Sequence, residues 1–484
     1  MKVPMSLGVG WILAALLGGA MLAASSDEAF PAGIRLVVMP ATPAVTPAAL
    51  AAAGVPVYAR FHGSAGEWLL AGADDAGLAG IAALGLAAET VDPAPAGATF
   101  FRVLRRAGRP DPDFAAFGRV VWDGGTEMVI RAAPRAAELL AEAGCEIAAI
   151  RPRPIRLDPR PSYGSPAAVV ADSATAALIG QLSTTMIEDL EKAITGVVAT
   201  QIGGSSYTIL SRNTYSGTPI QKATQYAFEH FQAMGLSVSY HTWGGSSYPN
   251  VIAQQTGVAQ PGVVYVICAH LDDMPSGAIA PGADDNASGS SAVLAAAQLI
   301  SESDFYYDPT LIFALWTGEE QGLVGSDYWA GLASSSGMNI QGVLNLDMIA
   351  YNTTGSAPVL DLHAHSALPA TVALANLFSD VVGAYGLDLA PQVLVDNYLG
   401  DYSDNASFWD RGYSAILAIE DGDDLTPYYH TAADTLATLN LPYFTAFARA
   451  SLGTFLHLCG GPHRYGDLDR DGAVGAADLA ILIQ

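Results

Sequence analysis

From about residue 180 onward, apolar positions run almost unbroken and each run stops at a polar or acidic cluster, as in PGVVYVICAH, PTLIFALWTGEE, GVLNLDMIAYN and YSAILAIED. Strands covered on both faces carry such continuous runs, because neither side of the pleat meets water. Between them lie segments with helical spacing. TPIQKATQYAFEHFQAMGLSVSYHTW (218–243) predicts an amphipathic helix ended at Gly235 and then an alternating strand. SGSSAVLAAAQLI predicts a buried helix. Strands alternating with helices predict an α/β domain over 180–461 with a helix-covered, mostly parallel central sheet. In open sheets of that kind, sites form just beyond the carboxyl ends of the strands. The acids of this chain sit there.

Residues 31–157 have a different texture. Glu67–Pro93 (EWLLAGADDAGLAGIAALGLAAETVDP) and Glu127–Pro152 (EMVIRAAPRAAELLAEAGCEIAAIRP) repeat a short apolar strand, a helical run, a glycine, a second strand and a proline. Two strand-helix-strand units predict a small α+β module with its helices on one sheet face. No cluster of His, Cys and acid falls inside it, which points to an accessory or pro-domain. Residues 158–179 read as a linker, and the basic RPRPIRLDPR (151–160), alternating with proline, reads as extended chain.

Composition narrows the function. Charged residues are 14% of the 484, against about 25% in ordinary globular chains, and the net charge is -26. Such a surface repels phosphate backbones, so nucleic acid is not an expected partner. Residues 1–25 combine Lys2, an apolar stretch and small residues at Ala23, Ala24 and Ser25, the pattern of a signal peptide, with a retained anchor as the alternative. No later segment is apolar enough to span a bilayer, so the expected location is secreted or cell-envelope. Cys145, Cys268 and Cys459 are too few and scattered for a disulfide framework and read as buried thiols. There is no G-x-S-x-G, and no cysteine is flanked by cations that would activate it.

The strand ends carry the chemistry. CAHLDD places His270 and Asp272, GADDNASG places Asp284 and Asp285, and WTGEEQG places Glu319 and Glu320. NLDMIAYN adds Asp347 and PYYHTAADT adds His430. One carboxylate at a strand end is commonly a helix cap. Several on one rim without Arg or Lys raise one another's pKa unless a multivalent cation sits among them. Mixed imidazole and carboxylate donors suit zinc better than magnesium or calcium.

With these five ordered motifs the chain resembles the M28 zinc aminopeptidases, co-catalytic di-zinc exopeptidases with a phosphorylase/hydrolase-like α/β fold, over roughly 180–460. The resemblance implies two Zn2+ ions. It assigns His270 and Asp347 to one, Glu320 and His430 to the other, and Asp285 to a bridge between them, across a cis bond to Asn286. It makes Glu319 the general base and Asp272 the acid that orients His270. Asp284 is read as shaping the loop. Tyr402, in DNYLGDYSDNASFW, is a candidate substrate contact, and Asn405 stands where the family commonly has histidine. The implied reaction removes one residue from the N-terminus of a peptide or protein. Carboxyl-end peptidase, glutaminyl cyclase and non-catalytic binding protein are the alternatives. His363 and His365, in LHAHS, share strand spacing that could suggest a metal pair, and read as structural.

The last segment, 466–484, holds DLDRDGAVGAAD. Asp467, Asp469, Asp471 and Asp478 fall at loop positions 1, 3, 5 and 12, with Gly472 at the turn and the carbonyl of Ala473 at position 7. That is a calcium loop with Asp in place of the final Glu, similar to half of a dockerin repeat. It suggests a Ca2+ ion and, as partner, a cell-surface or cohesin-like protein. A plain acidic turn is the alternative.

Overall fold

The weak repeat folds as two sheets, where the sequence suggested one. The computed structural model describes residues 29–42, 47–105, 110–156, 158–160, 162, 169–243 and 248–464; the expected leader over 1–25 and the calcium loop over 466–484 lie outside the described residues. Strands β1 (Arg35–Pro40), β2 (Val57–Gly63), β3 (Gly66–Ala73) and β4 (Glu89–Asp92) form an antiparallel sheet in the order β2-β3-β1-β4. Strands β5 (Thr99–Leu104), β6 (Gly118–Asp123), β7 (Glu127–Ala132) and β8 (Glu146–Ile150) repeat that order as β6-β7-β5-β8. The recognised repeat was β3-helix-β4 and β7-helix-β8, the second part of each unit. Each whole unit is a split βαβ arrangement with two more strands ahead of that part.

The two sheets meet face to face. Leu36, Val38, Phe61 and Leu70 of the first pack on Phe100, Trp122, Val129 and Ile150 of the second. The outer face of the second sheet takes the helix Ala136–Glu142 and, beyond it, Met274 of the next domain. The linker ends sooner than expected. Ser173–Gln181 is a helix capped by Asp172, and its Leu178 lies in the core of the larger domain.

After the hairpin β9 (Thr200–Ile202) and β10 (Ser205–Tyr207), the larger domain is built on eight strands. These are β11 (Ser237–His241), β12 (Asn250–Gln255), β13 (Gln260–His270), β15 (Pro309–Trp316), β16 (Asn339–Leu346), β17 (Val359–Ala364), β18 (Ala390–Val395) and β19 (Ala415–Glu420). Their order is β11-β12-β15-β13-β16-β19-β17-β18. A short pair, β14 (Phe305–Tyr306) and β20 (His463–Arg464), stands apart. The pairings β13/β15, β13/β16, β16/β19 and β17/β18 are parallel, and the other three are antiparallel. The fold is therefore α/β with a mostly parallel, helix-covered sheet, as its apolar runs predict.

The pleat explains those runs. Tyr265, Ile267 and Ala269 of β13 face one core, with helices Gly289–Glu302 and Leu441–Leu458, while Val264, Val266 and Cys268 face the other, with Val324–Ser335. In β15 the alternation is Leu311, Phe313, Leu315 against Ile312, Ala314, Trp316. Strand Cβ atoms alternate between faces, so a sheet with a core on each side needs apolar residues at every position. Leu104 and Ala148 of the N-terminal module join the second core and dock the module there. Cys145, Cys268 and Cys459 are buried thiols not joined in a disulfide. Among the described residues no helix is long and apolar enough to cross a membrane.

Candidate metal centre

His270 is the last residue of β13, and Asp347 directly follows β16, its parallel neighbour, so adjacent strands deliver both side chains to one sheet end. His270 Nε2 lies 3.1 Å from Asp347 Oδ1 and 3.2 Å from Asp285 Oδ1. The other oxygen of Asp285 lies 3.3 Å from His430 Nε2, which is 2.9 Å from Glu320 Oε2. Asp285 thus stands between two nests, one of His270, Asp285 and Asp347 and one of Asp285, Glu320 and His430. Glu319 borders the space beside His270 and Glu320. The fold brings all six together from segments far apart in sequence.

Local structure explains the presentation. Gly318 has φ 77, and a Cβ there would lie 2.4 Å from the Trp243 ring, so only glycine makes the turn that presents Glu319 and Glu320. The Asp285-Asn286 bond is cis, as the resemblance implied. The loop is fastened on every side. Asp434 accepts from the backbone N–H groups of Asp284 and Asp285, Asn286 donates to the Leu346 carbonyl at 2.9 Å, and Asp284 Oδ1 accepts from Ala350 at 2.9 Å. Asp284 therefore has a loop-holding position, whereas Asp434 escaped the sequence reading. Its only cue was an acid four residues after His430.

The imidazoles are held in a ligand tautomer. His270 Nδ1 faces the Asp272 carbonyl at 3.1 Å and His430 Nδ1 faces the Ala141 carbonyl at 3.0 Å. When neutral, a ring that donates from Nδ1 to a carbonyl leaves its Nε2 lone pair for a metal, and both Nε2 atoms point at the carboxylates. Asp272 reaches His270 through its backbone. Its carboxylate is 3.8 Å from the ring and accepts from Thr214 Oγ1 at 2.9 Å and from the N–H groups of Glu319 and Glu320, so it braces the glutamate turn. Ser403 donates to Asp347 Oδ2 at 2.6 Å, another partner without a sequence signal.

The electrostatics call for a cation. Burial lowers the His270 imidazole, but Asp347 and Glu319 override it and hold it well above its ordinary range. Burial lowers His430 too, and Glu320 and Asp285 raise it more. Burial raises Asp285, yet its two histidines pull it low. Burial pushes Glu320 up to about 7 and Glu319 well above the usual carboxylate range. Among the described residues these four carboxylates pair with no arginine or lysine, and Glu320 Oε1 lacks a hydrogen-bond partner. Buried like charges sharing protons with imidazoles, plus an orphaned donor atom, are the environment a divalent metal resolves. The donor set of imidazole and carboxylate fits zinc.

The space in front of these residues is small, about 60 Å³, room for a handful of waters. Met348, Leu399, Leu417, Ile419 and Leu425 give it apolar walls, and Glu146 of the N-terminal module closes it. Tyr429 donates to Glu146 at 2.6 Å, and Tyr402, buried beside the site, donates to Glu127 with Arg102 stacked 4.6 Å over its ring. The module contacts the centre through Ala141, Glu146 and Glu127. None of these stood out in the sequence, because their significance depends on docking. His363 lines this space but His365 lines another cavity, so the two do not converge on a metal. Asn405 is fully buried and donates to the Gly400 carbonyl, fixing the turn ahead of it.

Residues 250–454 match the model of Peptidase family M28. The chain is 33% identical over 143 residues to a probable zinc metalloprotease of Pyrenophora tritici-repentis, an overlap of 27% of this chain and 29% of that one. It is 30% identical over 219 residues to a probable leucine aminopeptidase of Trichophyton verrucosum, covering 43% and 57%. The chain thus spans from under a third to just over half of these relatives. Among solved structures, the LapA aminopeptidase of Legionella pneumophila superposes with a TM-score of 0.59 at 18% identity, over 75% of this chain and 98% of that one. At that identity the likeness establishes a shared fold.

Proposed function

We propose that the protein is an exported zinc-dependent aminopeptidase that removes N-terminal residues from peptides, and that its N-terminal module caps the site as a pro-domain. One observation carries the first part: Asp285 lies between His270 and His430, whose Nδ1 atoms are both committed to backbone carbonyls, with Asp347 and Glu320 completing two donor sets around it. His270, Asp347 and Asp285 would hold one zinc ion and Glu320, His430 and Asp285 a second, and the pair would supply Lewis acidity toward a carbonyl and acidify water. Glu319 takes the proton of the attacking water and returns it to the departing amine. Its main-chain N–H donates to Asp272, which fixes the backbone turn that presents it. The apolar walls exclude water and accept an apolar first side chain. The curated relatives, named for zinc metalloprotease and leucine aminopeptidase activity, support the same reading.

The pro-domain reading rests on Glu146, Glu127 and Ala141, which engage Tyr429, Tyr402 and His430 and leave little room for a substrate. In this scheme the loop of 466–484 binds calcium and tethers the enzyme at the cell surface. The test is hydrolysis of amino-acid p-nitroanilides beside their N-acetylated forms, with chelator and zinc restoration. Zinc-restorable cleavage of free-amine substrates alone, increasing after the 162–169 connection is cut, is the expected result. Cleavage of blocked substrates, or cleavage indifferent to chelator, refutes it.

A further inference from the structure

A cavity of about 410 Å³ opens where the N-terminal module, the linker and the larger domain meet, away from the metal centre. Seven arginines line it, in a chain of net charge -26 with only 21 lysines and arginines. Arg60 and Arg102 come from the module and Arg411 from the larger domain. The other four, Arg151, Arg153, Arg156 and Arg160, are the basic run at 151–160, where the module passes into the linker. Three acids line it with them, Asp327, Asp401 and Asp410, and two of the arginines also meet acids behind the wall, Arg60 with Glu67 at 3.1 Å and Arg102 with Glu127 at 3.5 Å, which leaves an excess of two positive charges, 7 − 3 − 2. Burial pushes Asp410 up to about 7, which weakens it as a counter-charge.

The arginines are not equally engaged. Arg102 is spent on the carbonyl of Asp401 at 2.6 Å, and Arg411 pairs with Asp327. Arg160 donates to the Arg411 carbonyl and to Ser334 Oγ. Arg153 lies 3.6 Å from Asp327 and 5.0 Å over the Tyr328 ring. Arg151 acts on Asp327 through its charge, but its Nε and Nη2 are buried with no hydrogen-bond partner. Buried guanidinium donors without acceptors are costly. The basic run does not float, since Ile155 N–H donates to Val57 of the module and Arg156 N–H to Asp410 of the larger domain. Prolines at 152 and 154 keep it extended, so Arg151 and Arg153 are presented by a stiff segment.

We propose that this cavity binds a multivalent oxyanion of the phosphate or polycarboxylate class, which clamps the N-terminal module onto the larger domain. Planar guanidinium forks match the paired oxygens of carboxylate and phosphate. The protein's overall charge repels anions, so capture here comes from the local cluster. Because the walls come from both sides of the seam, the complete site exists only in the docked form, and a ligand that binds that form alone stabilises it.

Isothermal titration of the full chain with inorganic phosphate and with tricarballylate, against sodium chloride at equal ionic strength, tests this. Saturable one-to-one binding is expected, and the tighter of the two probes names the oxyanion class. Arg151→Gln with Arg153→Gln should weaken it at least about tenfold. Arg105→Gln, a guanidinium engaged by Asp111 and Asp123 outside the cavity, should leave it unchanged. The variant Arg151→Lys with Arg153→Lys keeps the charge and loses the fork, so affinity between wild type and the Gln pair supports the site. Bound phosphate should also slow proteolysis at the 162–169 connection in the wild type and not in the Gln pair. Heats that do not saturate, that chloride reproduces, or that survive unchanged in either double variant overturn the proposal.

Discussion

The central strands of the larger domain are buried on both faces, whereas each sheet of the N-terminal module has one face on the other sheet and one toward helices and linker. Both solutions cover apolar strands, but they leave polar groups in different places. Parallel strands end together, so His270 and Asp347 emerge side by side and chemistry collects at one rim. The module's antiparallel sheets have no such shared end. Two of their acids, Glu127 on β7 and Glu146 on β8, reach across to the other domain, to Tyr402 and Tyr429. One region concentrates reactive groups and the other supplies groups that cover them.

The sharpest way to separate the two roles is to damage each in turn. Glu319→Gln should lower kcat by about 10² to 10⁴-fold, the contribution of a general base, with bound zinc unchanged by metal analysis. Equal loss of zinc would place Glu319 among the ligands instead. Glu146→Ala or Tyr429→Phe in the module contact should move activity in the opposite direction, raising kcat/KM of the uncut chain severalfold by loosening the cap. A fall in activity would show that the module completes the site.

Stability tests the difference in burial. Trp316, fully buried against Trp329 and Phe408, should cost about 3 to 5 kcal/mol on replacement by alanine, read by denaturant titration. His363 should give the chain an acid-sensitive term. Burial lowers its pKa from 6.5 to about 4, partly opposed by Asp401. The fold keeps it neutral while the unfolded chain protonates below 6.5. Stability is therefore whole above pH 6.5 and drains as pH falls to about 4, by up to about 3 kcal/mol. His363→Asn should flatten that slope. The smallest effect belongs to the module surface. Asp74 accepts from Gly77 N–H at 2.8 Å and caps the helix Asp75–Ala83, so Asp74→Ala should cost about 1 kcal/mol without touching the metal centre.

Much of this was legible in the chain. The continuous apolar runs predicted strands buried on both sides, and the acids at their ends marked the rim, because pleat and strand direction are local properties. Gly235, at φ 79, ends the helix Thr218–Ala233 where the sequence placed the stop. The module was read less well. β1, β2, β5 and β6 lack the repeat's regular run, so pairing across the sheet, which no local pattern encodes, was needed to see them.

Alone, the sequence determined which side chains could hold a metal, since donor chemistry belongs to the residue: two imidazoles and a set of carboxylates without a basic neighbour. Tertiary structure decided how they are used. That His430 leans on a carbonyl of the module, that the Asp272 carboxylate braces a turn while its backbone meets the ring, and that the four arginines of 151–160 turn into one cavity all depend on contacts between distant segments. Hydrogen bonds and ion pairs act over a few ångströms, and only the folded chain sets which groups come that close.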